Sequence, residues 1–288
     1  MVVQGVPHLS PESQTPIRSR TIMVSEVFGV TIQGEGALIG VPTVFVRTGG
    51  CDYRCSWCDT LYAVLPEYKA DWHPMTTQEV FAEIQRLSDY QPLLVTLSGG
   101  NPAIQPLGEL LDLGHAHGYT FAIETQGSVA QPWFARLDHL TLSPKPPSSK
   151  QVTRWGRLDR CIAYARATSD EQHIEADDHV DAHEGAHEQR AQVTSRSVLS
   201  PVQICLKVVV FDEADFVYAR QVAERYPDIP MYLQAGNHTP PHLSGDLDTP
   251  GILERMDWLI QRVIAEKWYS ARVLPQLHVL LWGNKRGV

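Results

Sequence analysis

Short apolar runs recur along this 288-residue chain, and each ends on a polar cap. Ile22 to Val30 is β-branched and aromatic and leads into Thr31-Ile32-Gln33-Gly34-Glu35-Gly36, while Thr43 to Thr48 leads into Gly49-Gly50-Cys51. Leu93 to Leu97 is followed by Ser98-Gly99-Gly100-Asn101-Pro102, Tyr119 to Ile123 by Glu124-Thr125-Gln126-Gly127, and His139 to Leu142 by Ser143-Pro144-Lys145. Ile204 to Phe211 is apolar enough for a strand covered on both faces, and Pro230 to Leu233 is capped by Gln234-Ala235-Gly236-Asn237. Runs of this length and composition predict strands. Helical periodicity separates them. Thr76-x-x-Glu79 has the form of a capping box and opens a helix with Val80, Phe81, Ile84 and Leu87 on one face. Further helices are expected from about Gln105 to His117, Asp212 to Tyr226 and Pro250 to Trp268.

Strands beginning near positions 43, 93, 119, 139, 204 and 230 predict an α/β fold with a parallel sheet. Six strands are too few for a closed eight-stranded barrel, so a partial, open parallel β/α barrel is expected, formed as one domain by residues 21–288. Two stretches break the rhythm. Residues 1–20 hold Pro7, Pro11 and Pro16 with little to bury, and read as a disordered tail. Residues 166–200 carry eight acidic side chains against three arginines and read as an acidic insertion. Within it His179, His183 and His187 recur every fourth residue, which on a helix would align them for a divalent metal. No apolar face anchors such a helix, and a solvated loop is the expectation.

A hydrophobic content of 43% suffices for a full core, and a net charge of -9 argues against broad nucleic-acid binding. No apolar run approaches the roughly 18 residues of a membrane span, and the first twenty residues lack a secretory apolar core, so a cytoplasmic protein without membrane partners is expected. That compartment keeps thiols reduced. Disulfides are therefore not expected, and Cys161 and Cys205 read as ordinary buried thiols.

The other three cysteines form the densest chemical signal. Cys51, Cys55 and Cys58 are spaced C-x3-C-x2-C, with no fourth cysteine or nearby histidine to complete a tetrahedral zinc set. Three thiolates on one tight loop suit a [4Fe-4S] cluster whose fourth iron stays open to a ligand; the alternatives are a buried thiol cluster or a zinc knuckle. Arg47, four residues before Cys51, is placed to fork onto a carboxylate or to form a surface salt bridge. Glycines at the carboxyl ends of strands, as in Ser98-Gly99-Gly100, let backbone amides approach a ligand.

The cysteine spacing resembles the radical S-adenosylmethionine (SAM) superfamily, in which the methionine amino and carboxylate groups of SAM chelate the open iron. Added to it, Ile32-Gln33-Gly34-Glu35-Gly36, Phe45-Val46-Arg47, Cys58-Asp59-Thr60, Ser98 to Pro102, Glu124 to Gly127, Ser143-Pro144-Lys145 and the ending Trp282 to Val288 resemble the 7-carboxy-7-deazaguanine synthase family. The resemblance runs from about Ile22 to Val288 apart from the acidic insertion. It implies a (β6/α3)-like core that uses SAM, a [4Fe-4S] cluster and Mg2+. The reaction it implies converts 6-carboxy-5,6,7,8-tetrahydropterin to 7-carboxy-7-deazaguanine with loss of ammonia, on the route to queuosine. A homodimer and an electron donor of the flavodoxin or ferredoxin type are implied with it.

By the same resemblance Cys51, Cys55 and Cys58 hold the cluster, while Trp57, Cys58, Asp59, Gly100, Asn101, Ser143, Pro144, Lys145 and Gln234, Ala235, Gly236 and Asn237 bind SAM. Ile32, Gln33, Gly34, Glu35, Arg47, Ser98, Glu124 and the chain end at Val288 face the pterin, with Glu124 placed to bind SAM instead. Thr60 holds Mg2+ or else caps the following turn. Superfamily relatives often carry Glu where this chain has Asn101, whose amide oxygen can still accept from an ammonium. Two competing readings are an activase that generates a glycyl radical on a partner and a non-catalytic metal-binding module; release of ammonia from the pterin without a partner separates the first, and absence of SAM cleavage the second.

Overall fold

The computed structural model describes residues 21–167, 200–239 and 247–288. Its frame is a nine-stranded sheet in the order β3-β1-β2-β4-β5-β6-β7-β8-β9. β1 (Ile22–Ile32) pairs antiparallel with both β2 (Pro42–Thr48) and β3 (His73–Met75). From β2 onward, β4 (Leu94–Gly99), β5 (Thr120–Thr125), β6 (His139–Leu142), β7 (Gln203–Val210), β8 (Met231–Ala235) and β9 (Arg272–Leu274) run parallel. The two ends of the sheet do not meet, so the barrel is open, as expected. The six parallel strands read from the sequence are all present, and the run at Ile22 to Val30 forms the antiparallel β1; β9, too short to stand out as an apolar run, adds a seventh parallel strand at the edge.

The helices follow from local chemistry. α1 (Thr77–Leu87) opens on the expected capping box, with Glu79 N donating to Thr76 Oγ1 and Thr76 N donating to Glu79 Oε2, and buries Val80, Phe81 and Ile84. α2 (Gly108–Ala116) starts three residues later than expected, because Gln105 precedes a proline and is held extended. α3 (Trp155–Arg166) was absent from the sequence reading, although Leu158, Cys161, Ile162 and Ala165 have the spacing of a buried helical face and are all buried. α4 (Glu213–Arg225) and α5 (Thr249–Ala265) match their expected positions within a few residues, and α6 (Leu277–Trp282) is a short closing helix. Arg166 belongs to α3, so the acidic insertion starts after it. Residues 168–199, which hold the three histidines and most of the insertion, and the expected tail 1–20 lie outside the described residues.

β4 through β8 pack Val95, Leu97, Phe121, Ile123, Leu140, Leu206, Val208 and Leu233 into one core with the helices. Cys161 is buried in it, while Cys205 is buried beside Thr141, its Sγ 3.3 Å from Thr141 Oγ1; both are free thiols. The polar caps, by contrast, gather at the carboxyl ends of the parallel strands, where open α/β sheets leave a crevice. No helix among the described residues is long and apolar enough to cross a membrane.

Candidate active site

A cavity of about 340 Å³ opens at that edge of the sheet. Its first wall is the cysteine loop, which β2 delivers one residue after Thr48. The loop is tied down from both sides. Asp52 Oδ1 accepts from Asn101 Nδ2 at 2.9 Å and from Gln126 Nε2 at 2.8 Å, while Ser56 Oγ donates to Ser148 O at 2.7 Å and Trp57 Nε1 to Ser148 Oγ at 3.0 Å. The cap of β4 can approach because Gly100 has no side chain: a Cβ there would stand 2.0 Å from Gly50 O.

Cys51, Cys55 and Cys58 are free and half-buried on this wall. Burial pushes all three thiols up, Cys55 to about 11, with Lys145 pulling Cys51 and Cys55 the other way. A positively charged metal group reverses that balance, since a coordinating thiol is deprotonated. The donor set suits a larger cluster: three thiols, with Tyr53 N at 3.4 Å and Gln126 Nε2 at 3.6 Å donating to Cys51 Sγ. Thr60 Oγ1 lies 3.7 Å from Cys58 Sγ and makes no side-chain cap of the following turn, so the capping alternative is not realised.

The second wall is cationic with one carboxylate set into it. Arg47 Nε donates to Glu26 Oε1 at 2.7 Å, and its guanidinium lies over the rings of Phe28 and Tyr62. Burial works against the Arg47 charge, but Tyr62, Glu26 and Asp59 outweigh it and raise its pKa.

The third wall is anionic and is built around a residue the sequence reading did not single out. Lys207 on β7 is 1% exposed and its ammonium is paired with both Glu35 and Glu124. Gln276 Nε2 donates to the other Glu35 oxygen at 2.9 Å, and His278 Nε2 lies 3.9 Å from it. Burial opposes the charge on Glu35, yet Lys207 and His278 hold its carboxyl well below the usual carboxylate range. Lys207 is likewise held above its ordinary value, against burial, by Glu124 and Glu35. The signal in the sequence was a lysine inside an otherwise apolar, doubly covered strand, which has to find a countercharge. Gly34 admits the carboxyl-terminal helix here, because a Cβ would stand 2.3 Å from His278 Nδ1.

Of the residues expected to bind SAM, Trp57, Cys58, Asp59, Gly100, Ser143, Lys145 and Asn237 line the cavity, as do all those expected to face the pterin: Ile32, Gln33, Gly34, Glu35, Arg47, Ser98, Glu124 and Val288. Pro144, Gln234, Ala235 and Gly236 are not on its wall. Asn101 needs correction. It is fully buried, its Oδ1 accepts from Ala103 N and Thr125 Oγ1, and its Nδ2 donates to Asp52 and Ser128 Oγ. With four partners its amide is saturated, and it holds the cysteine loop instead of reaching an ammonium.

Residues 45–146 match the radical SAM superfamily. Over 94% of its length the chain is 41% identical to 7-carboxy-7-deazaguanine synthase of Bacillus subtilis, all of which is covered. The chain belongs to the 7-carboxy-7-deazaguanine synthase family. The Bacillus cereus member is 39% identical over 93% of this chain and 99% of its own. Among solved structures, Escherichia coli QueE shares the fold, with a TM-score of 0.57 at 21% identity over 90% of this chain and 95% of the other. A synthase of this family thus places its cysteine loop, its Arg47 wall and its Glu35–Lys207–Glu124 wall around one cavity.

Proposed function

We propose that this chain converts 6-carboxy-5,6,7,8-tetrahydropterin to 7-carboxy-7-deazaguanine with loss of ammonia, as a radical SAM carbon–nitrogen lyase. The observation that carries the reading is the shared cavity: the three thiols face the same space as a wall of opposite-charge halves. Cys51, Cys55 and Cys58 would hold a [4Fe-4S] cluster beside SAM, and together these groups supply one-electron radical chemistry for removing a hydrogen from the pterin. The remainder is positioning by the chain. Arg47 lines the cavity and spends Nε on Glu26, while no described hydrogen bond uses its terminal amines, which makes it a fork suited to the pterin carboxylate. Across the cavity Glu35, whose carboxyl Lys207 holds well below the usual carboxylate range, and Glu124, paired with the same ammonium, accept from the amine and ring N–H edge. Val288 lines the same cavity. A molecule with an anion at one end and donors at the other is therefore oriented without ambiguity.

Thr60 would supply an oxygen to Mg2+ where the substrate carboxylate meets the cysteine loop. We further assign the chain a homodimeric state, a flavodoxin- or ferredoxin-type donor and a place in the cytoplasm, on family grounds and on the absence of a membrane-crossing helix among the described residues. Anaerobic incubation with SAM, a reductant and the carboxypterin, followed by mass analysis, should show 7-carboxy-7-deazaguanine and released ammonia. SAM cleavage without conversion of the pterin would refute the substrate assignment.

A further inference from the structure

Glu26 is the hub of the cationic wall. Its Oε1 accepts from Arg47 Nε at 2.7 Å and from Tyr62 Oη at 3.0 Å, and its Oε2 accepts from Arg286 Nε at 3.0 Å. Arg286 belongs to the strand–helix–tail segment that lines the cavity, and its guanidinium sits 3.8 Å from the Tyr62 ring centroid. One carboxylate is thus shared by two guanidinium groups from opposite ends of the chain. Arg47 and Glu26 are about one-sixth exposed, whereas Arg286 is half exposed.

The charges decide what this arrangement can bind. Without Arg286, Arg47 would share its surroundings with Glu26 and with Asp59, which also acts on it, so two carboxylates would surround one cation. An anionic ligand approaching the Arg47 terminal amines would then be repelled. With Arg286 bound to Glu26 Oε2, the local balance returns to neutral, and the terminal amines of Arg47, which no described hydrogen bond uses, are left to receive a carboxylate. Lys285 lines the same cavity, but no described hydrogen bond or ion pair ties its side chain to this group.

We infer that Arg286 is a specificity-determining positioning residue, which holds Glu26 so that Arg47 can accept a carboxylate-bearing ligand. The inference rests on the proposed reading of the cavity as a carboxypterin site. Arg286 does not itself have to touch the ligand. Its action is through Glu26, and it should therefore discriminate between ligands with and without the carboxylate while leaving recognition at the Glu35–Lys207–Glu124 wall alone.

The test is calorimetric titration of the anaerobic, cluster-loaded protein with SAM and no reductant, using 7-carboxy-7-deazaguanine and 7-deazaguanine as probes. Wild type should prefer the carboxylated probe. Arg286→Gln should weaken that probe about tenfold, the scale of one half-exposed charge, and leave the bare base unchanged. Arg286→Lys should retain most of the preference. Adding Glu26→Gln to Arg286→Gln should recover part of it, since the repelling charge is then gone. Equal weakening of both probes would show that Arg286 only fastens the tail, and an unchanged preference would show that it has no role; either overturns the inference. Failure of wild type to prefer the carboxylated probe would overturn the carboxypterin reading itself.

Discussion

Replacing Lys207 by methionine tests the anionic wall most directly. The substitution keeps much of the side-chain volume but strips the shared countercharge from Glu35 and Glu124, leaving two carboxylates facing each other in a partly buried site. Breaking a buried ion pair by removing one partner costs about 3–5 kcal/mol. Both glutamates keep some access to the cavity, at 14% and 26% side-chain exposure, so the lower end, about 3 kcal/mol, is expected. At about 2–4 °C per kcal/mol, the melting temperature should fall by about 6–12 °C. The pH dependence gives the diagnostic. Glu35 is held below its ordinary 4.5, so its stabilisation is complete above that value and lost as pH falls through the folded value. Lys207 is held above its ordinary 10.5, so its share is complete below that value and lost as pH rises through the folded one. The bridge therefore acts in full between 4.5 and 10.5. In Lys207→Met, mutual repulsion lets one carboxylate take up a proton, and the deficit should shrink from about pH 7.5 to about pH 5. Anaerobic urea unfolding followed by tryptophan fluorescence measures both. Lys207→Met combined with Glu124→Gln should recover part of the loss. A deficit that is absent at neutral pH, or the same at both pH values, would refute the charge argument.

Other outcomes follow from the remaining walls. Cys55→Ala should abolish the visible absorbance of the reconstituted cluster and all SAM cleavage, because no other described thiol reaches the loop; a full cluster in that variant would contradict the ligand assignment. Thr60→Ala should leave cluster and SAM binding intact while blunting the response of pterin turnover to added Mg2+, which steady-state assays across a Mg2+ series would check. Gly100→Ala forces a Cβ to within 2.0 Å of Gly50 O and should displace the cysteine loop. Iron content per chain should drop in that variant even where circular dichroism shows the fold retained, since only the cap of β4 and the loop are moved.

How much of this was legible beforehand depends on the range over which each feature is made. The cysteine spacing, the capping box at Thr76 and Glu79, and the strands with polar caps are written in adjacent residues, where periodicity and local hydrogen bonding suffice to read them. The placement of caps at strand carboxyl ends also follows, because parallel α/β connections put them on one edge. That is why most expected site residues do line one cavity. The α3 helix had a readable pattern at Leu158, Cys161, Ile162 and Ala165, but its first turn has no side-chain cap to announce it. Asn101 shows the limit of motif reading: its position beside paired glycines suggested a ligand contact, and only the approach of Asp52, Thr125 and Ser128 decided that its amide is spent on protein. Pairing between polar and charged side chains is the least local feature of all. Lys207 meets Glu35 across 172 positions, Gln276 meets Glu35 across 241, and Arg286 meets Glu26 across 260. The sequence by itself determined the cysteine loop, the strand-and-helix rhythm and the family. The tertiary structure alone decided which cation neutralises which carboxylate, because that choice is set when β7 is laid into the sheet and the carboxyl-terminal segment closes over its edge, bringing together side chains with no local pattern in common.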